Sequence, residues 1–200
     1  MRMPDKPSTP KELFCCSHLS VDDAPDIKDF TVRDKNGKGL EQYIRKRAFE
    51  EEELGLMKTY IVRERESYDI VGYFSLKAGL ISYGERDDDG EITFDTIPGV
   101  EIANFAINNS YIQKHPKSKG VGFVIFNKFI RPAIEEAANH IGVTIIYIFA
   151  LNYPRLLELY HEQYGFVRLD QESENRLHSR IKPAYDQGCI FMYQMLRKTS

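Results

Sequence analysis

The feature that most constrains this chain is the stretch 100–139, where an apolar run, a glycine-containing loop and a second apolar run follow one another. Residues 100–109 are largely apolar and alternate, which predicts a β-strand. The segment 110–122 is polar and ends in Gly120 and Gly122, which predicts a loop. Apolar residues then recur at helical spacing. The order strand, loop, helix therefore predicts an α/β unit at the centre of the chain.

The loop at the head of the predicted helix has the chemistry of an anion-binding site. The first backbone N–H groups of a helix lack internal partners and lie at its positive pole. Glycines let the backbone approach a ligand closely, because they carry no Cβ. Such a loop suits a phosphate or a diphosphate. The alternative is an ordinary strand-to-helix turn without a ligand.

Two common nucleotide-binding motifs are excluded by the residues of this loop. No Gly-x-x-x-x-Gly-Lys-Ser/Thr run occurs, so the loop is not a P-loop. Ile125 occupies the position three residues after Gly122, where a dinucleotide fingerprint requires a small residue. The anion must therefore belong to another class of ligand.

The loop resembles the acyl-CoA diphosphate loop of the GNAT acetyltransferase superfamily, which has the pattern Gln/Arg-x-x-Gly-x-Gly/Ala. The matching residues, and the expected cofactor-binding residues, are Lys117, Ser118, Lys119, Gly120, Val121 and Gly122. Lys117 replaces the usual Gln or Arg, so the charge is kept but the planar guanidinium is lost.

A second motif follows downstream. Residues 143–150 form an almost continuous apolar run, as expected of a strand that is covered on both faces. Asn152 follows, and then 154–166, which contains Leu-Tyr-x-x-x-Gly-Phe. This order resembles the second GNAT signature, and two matches in the right order are more specific than either alone.

The resemblance implies an α/β (α+β) fold with a central, mixed, mostly antiparallel twisted sheet. It implies six to seven strands flanked by about four helices, with the core strand splayed from the next strand. We expect a flexible leader over 1–10, a single acetyltransferase domain over 11–197, and an acidic variable loop over 82–98. This acidic loop is either a solvated connection between two strands or lies near the amine that accepts the acetyl group.

The resemblance also implies acetyl-CoA as cosubstrate and assigns residues that hold its pantetheine arm. The backbone of Phe105, Ala106 and Ile107 on the splayed strand would bind the pantetheine amides. Asn152 matches a position that donates or accepts a pantetheine hydrogen bond, and its alternative role is a helix N-cap.

Two residues are expected to be catalytic. Tyr160 matches a tyrosine that acts as general acid toward the thiolate in many family members; the alternative is a core aromatic. Glu101 resembles the glutamate base of the histone acetyltransferase branch; the alternative is a strand carboxylate that faces solvent or forms a salt bridge. Many family members use only ordered water as the base.

Composition limits the function further. The 200 residues contain 42% hydrophobic residues and carry a formal net charge of −3, which argues against a nucleic-acid partner. No apolar stretch is long enough to cross a membrane. Three cysteines do not form a disulfide framework, which favours the cytoplasm. The five histidines show no metal-ligand spacing, so no metal is expected.

Three functions are compatible with these residues. The leading hypothesis is a direct acetyl transfer from acetyl-CoA to a primary amine of a small molecule, peptide or protein. Residues 70–80 also resemble toxin members of the superfamily that acetylate aminoacyl-tRNA. The third is a non-catalytic acyl-CoA-binding module. The sequence does not determine the oligomeric state, and a homodimer is one option.

Overall fold

The computed structural model describes residues 13–86, 92–118, 120–180 and 188–196. The leader expected over 1–10, the centre of the acidic loop and Lys119 lie outside these described residues.

Seven strands form one sheet, with the neighbour order β1-β2-β3-β4-β5-β7-β6. The strands are β1 (Phe14–His18), β2 (Lys58–Glu64), β3 (Ile70–Arg86), β4 (Ile92–Ile107), β5 (Ile145–Ala150), β6 (Val167–Arg168) and β7 (Ile190–Met195). Strands β4 and β5 pair in parallel, whereas β1 with β2, β5 with β7 and β6 with β7 are antiparallel. The sheet is therefore mixed, as expected.

Eight α-helical segments occur in the part of the chain that the structure describes. They are α1 (Ala24–Ile27), α2 (Lys38–Lys46), α3 (Ala48–Glu53), α4 (Asn109–Lys114), α5 (Val121–Ile125), α6 (Arg131–Ala138), α7 (Pro154–Glu162) and α8 (Gln171–Arg180). Several are only one or two turns long, so they outnumber the four helices expected.

The chain divides into two compact units. Unit 1 comprises Met1–Ser75 and Asn104–Ile130, and unit 2 comprises Leu76–Ala103 and Arg131–Ser200. Unit 1 therefore contains α1 to α5 and the C-terminal part of β4. Unit 2 contains β5 to β7 and the helices from α6 onward.

Each unit has its own apolar core. The core of unit 1 packs α1, α2 and α3 onto the strands of that unit, and its fully or nearly fully buried members include Ile27, Phe30, Ile44, Ala48, Ile61 and Tyr73. The core of unit 2 contains Ile81, Ile145, Tyr147, Leu177 and Phe191. Apolar burial of this kind is the main stabilising term in folding.

Two polar segments contain helices, and the first lies almost entirely within the predicted loop 110–122. Residues 109–114 form α4 because the Asn108 side chain caps its first turn, accepting from the Ser110 N–H at 3.2 Å. Residues 171–180 form α8, and the Asp170 carboxylate accepts from the Ser173 N–H at 2.9 Å. Both segments are polar, so hydrophobic periodicity did not reveal them.

The acidic loop expected over 82–98 is shorter than predicted. Strand β3 continues to Arg86 and β4 begins at Ile92. The facing ends of β3 and β4 are polar in sequence. The alternation of apolar residues that predicts a strand is therefore missing there.

Pro132 lies in a helical run, and the backbone adjusts just before it. Residues 126–130 form a π-helical turn between α5 and α6. Proline donates no N–H, and its ring crowds the carbonyl of the preceding turn. A π turn is a common way to accommodate such a defect inside a helix.

Candidate active site

The first part of the candidate site is the head of helix α5 in unit 1. Gly120 is the N-cap residue and has a left-handed backbone with φ +79°. A β-carbon built on Gly120 would have no atom within 4 Å, so the space beside its backbone is open. The N–H groups of Val121 and Gly122 follow, and helix geometry leaves such groups without intrahelical partners. This arrangement fits an anionic group such as a diphosphate.

The segment before Gly120 is held by its own hydrogen bonds. The Ser118 N–H donates to the His115 carbonyl at 2.9 Å, and the Ser118 hydroxyl donates to the same oxygen. The His115 ring stacks on Tyr111, with centroids 4.4 Å apart. Lys117 is exposed. Ser118 therefore shapes the turn, and the Lys117 ammonium is available for an anion.

The second part of the site in unit 1 is the end of strand β4. A β-carbon built on Gly72 would lie 2.6 Å from the Ala106 carbonyl oxygen. This distance is shorter than real β-carbons show from a backbone atom. The Ala106 carbonyl oxygen therefore occupies the space that a side chain at position 72 would need. Only glycine fits under this carbonyl. Phe105 and Ile107 beside it are half-buried.

The parallel ladder of β4 with β5 is short. It pairs Gly99–Glu101 with Ile145–Tyr147, whereas β4 continues to Ile107. Among the described residues, β4 and β5 form no further backbone pair. The backbone of Phe105, Ala106 and Ile107 therefore lies beyond the residues of β4 that pair with β5.

Tyr160 belongs to unit 2 and lies on helix α7. Its side chain is 5% exposed and packs edge to face against Tyr164 and Phe166, with ring centroids at 5.4 and 5.7 Å. Among the described residues its hydroxyl has no hydrogen-bond partner. The ring therefore packs as a core aromatic.

The protonation state of Tyr160 follows from this burial. Burial raises the pKa of the phenol above its usual 10.0, and Tyr164 adds a smaller effect in the same direction. The phenol therefore stays protonated at neutral pH and can donate a hydrogen bond. Because a thiol has a pKa of about 8.5, full proton transfer to a departing thiolate would be uphill. Hydrogen-bond donation to the developing thiolate is the chemistry that this residue supports.

The end of α7 fixes where Tyr160 lies. Gly165 has φ +75°, and its N–H donates to the His161 carbonyl at 3.2 Å, which is an αL C-cap. The Phe166 N–H donates to the Tyr160 carbonyl at 2.9 Å. The glycine and the aromatic of the Leu-Tyr-x-x-x-Gly-Phe motif thus anchor the backbone of the tyrosine.

Asn152 is exposed and precedes α7 in unit 2. The alternative role of helix N-cap is wrong, because Tyr153 is the N-cap and no side chain caps this helix. Among the described residues the Asn152 side chain has no hydrogen-bond partner. An exposed, unpaired amide is suited to a pantetheine hydrogen bond, which stays a prediction.

Glu101 lies on β4 in unit 2 and is half-buried. Burial raises the pKa of its carboxyl above 4.5, while the Lys77 charge and a hydrogen bond from Tyr147 act in the opposite direction. The Tyr147 hydroxyl donates to Glu101 Oε2 at 3.4 Å. Glu101 is therefore partly removed from solvent, and it forms no ion pair with the residues that the structure describes. Its pKa is shifted in the direction that a general base requires.

Sequence reasoning did not identify Tyr147 and Lys77 as neighbours of this carboxylate. Tyr147 was treated as one residue of an apolar strand, yet its hydroxyl reaches Glu101 from the neighbouring strand. The available signal was that Tyr147 is the one side chain with a polar end in Ile145–Ala150.

We expect Glu101→Gln to raise stability at pH 7. The pKa of Glu101 is above 4.5 in the folded protein. The protonated carboxyl therefore contributes to the stability of the folded state below pH 4.5, and this contribution is lost as pH rises through the folded-state pKa. The ionised carboxylate therefore costs stability at neutral pH, and a neutral amide removes that cost. Gains from relieving such functional strain are typically about 0.5–2 kcal/mol.

Urea unfolding of Glu101→Gln and wild type at pH 7 and pH 4 measures this effect. The variant is expected to be the more stable protein at pH 7, with a smaller difference at pH 4. Glu50→Gln, an exposed position, should change neither value. If Glu101→Gln were less stable than the wild type at pH 7, the claim that the ionised Glu101 carboxylate destabilises the folded protein would be wrong.

Two further observations concern metals and membranes. Among the described residues, no group of three or more His, Cys, Asp or Glu side chains could hold a metal ion. None of the described helices combines the length and apolarity that a bilayer crossing requires.

No protein-family model matches this chain. Solved structures do resemble it along nearly the whole length. A tyrosine-to-phenylalanine mutant of the AtaT toxin, bound to the C-terminus of the antitoxin AtaR and acetyl-CoA, is 18% identical with a TM-score of 0.62, covering 92% of this chain and 93% of that chain. A tyrosine-to-phenylalanine mutant of KacT is 14% identical with a TM-score of 0.64, covering 92% and 95%.

AtaT complexed with acetyl-methionyl-tRNAfMet is also similar, at 15% identity and a TM-score of 0.61, covering 89% of this chain and 93% of that chain. At these identities the likeness establishes a shared fold. The chain therefore shares the mixed α/β fold of these AtaT and KacT structures.

Proposed function

We propose that this protein is an acetyl-CoA-dependent N-acetyltransferase that works by direct transfer within a ternary complex. The observation that carries the proposal is the head of helix α5, where Gly120 adopts φ +79° beside open space and leads into the first helical N–H groups. This is the geometry that a diphosphate requires.

Several groups would hold the cosubstrate. The backbone from Lys117 to Gly122 binds the diphosphate. The β4 backbone at Phe105, Ala106 and Ile107 and the Asn152 amide bind the pantetheine arm. A β4 N–H also stabilises the negative charge that develops on the thioester oxygen. Holding both substrates at reacting distance supplies much of the acceleration.

The transfer then needs a base and a hydrogen-bond donor. The acceptor ammonium gives one proton to Glu101, directly or through water, and becomes a nucleophilic amine. Its nitrogen attacks the thioester carbon, so that a C–N bond forms, the C–S bond breaks and the nitrogen releases its surplus proton. Tyr160 donates a hydrogen bond to the departing sulfur, which ends as the thiol of CoA.

For the acceptor, we propose the α-amino group of an aminoacyl-tRNA. The similar AtaT structure was solved in complex with acetyl-methionyl-tRNAfMet. An α-amino group has a pKa of about 7.7–8.0, far below the 10.4 or so of a lysine side chain. A carboxylate base such as Glu101 is therefore better matched to an α-amino group.

The distribution of charge supports a nucleic-acid acceptor despite the net charge of −3. Residues 28–47 contain seven Lys or Arg and three Asp or Glu. All seven basic side chains are exposed. The net charge is a sum over the whole chain and does not show this basic segment (residues 28–47). The net charge is therefore a weak argument against a nucleic-acid partner.

Thiol release from acetyl-CoA tests both proposals. We would assay three acceptors in parallel: a mixture of charged tRNAs, a lysine-containing peptide and a polyamine. Release that depends on charged tRNA, with an N-acetylated aminoacyl ester seen by mass spectrometry, is expected. Uncharged tRNA is the matched control and should give no release.

The other outcomes separate the alternatives. Release with the peptide or the polyamine alone would keep the acetyltransferase and overturn the tRNA acceptor. Protection against heat by acetyl-CoA without release from any acceptor would favour a non-catalytic acyl-CoA-binding module.

Charge reversal in the basic segment gives a further prediction. Lys35→Glu and Lys38→Glu are expected to raise the KM for charged tRNA several-fold and to leave the KM for acetyl-CoA unchanged. The effect should shrink as salt concentration rises, because phosphate contacts release counterions. Steady-state kinetics at two salt concentrations measure it.

Lys128→Glu is the matched control, since Lys128 is exposed but lies outside the basic segment. An equal rise in the tRNA KM for Lys128→Glu, or a rise in the acetyl-CoA KM for Lys35→Glu, would argue against specific recognition by this segment.

A further inference from the structure

The carboxylate of Glu101 faces a phenol on the next strand. Glu101 and Tyr147 occupy opposite positions in the parallel ladder of β4 and β5. The Tyr147 hydroxyl lies 3.4 Å from Glu101 Oε2. This distance is longer than the usual 2.5–3.0 Å of such hydrogen bonds, so the contact is weak. Among the described residues Glu101 Oε1 has no hydrogen-bond partner.

Strand β3 leaves room for this phenol at Gly79. A β-carbon built on Gly79 would lie 1.8 Å from the Tyr147 hydroxyl oxygen. Any other residue would therefore push the hydroxyl away from its position next to Glu101. The glycine is required here by a side chain and not by its own backbone angle.

The Tyr147 ring itself is firmly held. It is 4% exposed and packs against Phe149 and Phe191, with ring centroids 6.2 and 5.7 Å away. Aromatic packing of this kind restricts the ring, so its hydroxyl is a donor in a fixed place.

We propose that Tyr147 is a positioning residue for the base of the transfer: its hydroxyl holds Glu101 by Oε2 and leaves Oε1 to accept the proton of the acceptor ammonium. This rests on the proposed function, in which Glu101 is that base. When the proton reaches Oε1, the carboxylate becomes a neutral acid and the ammonium becomes a neutral amine. Tyr147 keeps its own proton throughout.

The charges around Glu101 fit this role. Lys77 on β3 and Tyr147 on β5 both lower the pKa of the carboxyl, while burial raises it. Burial and the Glu101 charge raise the pKa of the Tyr147 phenol, so it remains a donor at neutral pH. Loss of the Tyr147 hydroxyl removes one of the two groups that keep Glu101 ionised.

Tyr147→Phe tests the proposal, because it deletes the hydroxyl and keeps the packed ring. We would measure the Glu101 pKa by NMR titration of labelled glutamate carboxyls, with Glu101→Gln to assign the signal, and the pH profile of kcat/KM. The Glu101 pKa is expected to rise, and the acid limb of the profile to move to higher pH with it. On that limb the loss should be about tenfold at most, the factor that one hydrogen bond supports.

Two further variants control for structural damage. Tyr193→Phe removes a phenol hydroxyl from the residue that pairs with Tyr147 in the β5–β7 ladder, and it should leave both measurements unchanged. Gly79→Ala displaces the Tyr147 hydroxyl without removing it, and it should move the pKa and the acid limb in the same direction as Tyr147→Phe.

An unchanged Glu101 pKa in Tyr147→Phe would overturn the proposal, and so would a raised pKa with an unmoved acid limb. Absence of turnover in the wild type would instead overturn the proposed function and, with it, the positioning role. The NMR titration distinguishes these failures, since it reports the coupling of the two side chains without turnover.

Discussion

Tyr160→Phe is expected to lower kcat by about 10²-fold, at the low end of what acid–base groups contribute. The low end applies because the raised pKa of Tyr160 favours hydrogen-bond donation over full proton transfer. The KM for acetyl-CoA should change little, because the hydroxyl acts on charge that develops only in the transition state. Steady-state thiol release measures both values.

The same variant should fold normally. The hydroxyl has no hydrogen-bond partner among the described residues, and the phenylalanine ring keeps its contacts with Tyr164 and Phe166. Deleting a hydroxyl that makes no hydrogen bond within the protein is close to neutral or slightly stabilising. Urea unfolding should therefore give an unchanged or slightly higher free energy of unfolding.

Tyr164→Phe is the matched control, since it removes a hydroxyl from the neighbouring ring of the same aromatic cluster. Its kcat should stay within about twofold of the wild type, far from the 10²-fold loss assigned to an acid–base group. Full activity of Tyr160→Phe would contradict the catalytic role and leave Tyr160 as a core aromatic alone.

Gly120→Ala is expected to weaken acetyl-CoA binding at least tenfold. The left-handed conformation costs a residue with a β-carbon roughly 1–2 kcal/mol. In addition, the methyl group would occupy the open space beside the head of α5, where we propose that the diphosphate binds. Isothermal titration with acetyl-CoA gives the affinity, and urea unfolding gives the stability.

Gly55→Ala is a closely matched control for the backbone strain. Gly55 has φ +68° and no atom within 4 Å of a built β-carbon, so it shares both properties with Gly120. Both variants should lose similar stability, but Gly55→Ala should bind acetyl-CoA as the wild type does. Equal affinities for the two variants would show that the head of α5 is not the diphosphate site.

The parts of the fold that depend on apolar pattern could be predicted from the sequence. The run 143–150 contains strand β5, and the helical spacing after Gly122 corresponds to the helical run that includes α5 and α6. The two polar helices α4 and α8 could not be found in this way. Their starts depend on side-chain caps at Asn108 and Asp170, which hydrophobic periodicity does not register.

The candidate site also contains some residues that local sequence patterns reveal and others that they do not. Gly120, Gly165 and Tyr160 could be located because they belong to short motifs with local geometry. The environment of Glu101 could not, because it depends on strand register: Tyr147 is its ladder partner, and Gly79 makes room for the phenol. Such contacts join residues far apart in the chain, and no local pattern specifies them.

The segment 40–54, which is followed by Gly55, favours a single helix from its sequence and shows a smaller failure of the same kind. The structure has two helices there, α2 and α3, with Arg47 between them at φ −112°. Arg47 itself has good helix propensity, so tertiary packing overrides local preference at this position.

Thermal unfolding with and without acetyl-CoA tests the central claim, that this fold holds an acyl-CoA, most directly. At a concentration of acetyl-CoA one hundred times its Kd, binding should add about 2.7 kcal/mol of stability and raise Tm by about 5–10 °C. Gly120→Ala should show a clearly smaller shift at the same concentration. An unchanged Tm of the wild-type protein in millimolar acetyl-CoA would contradict the account.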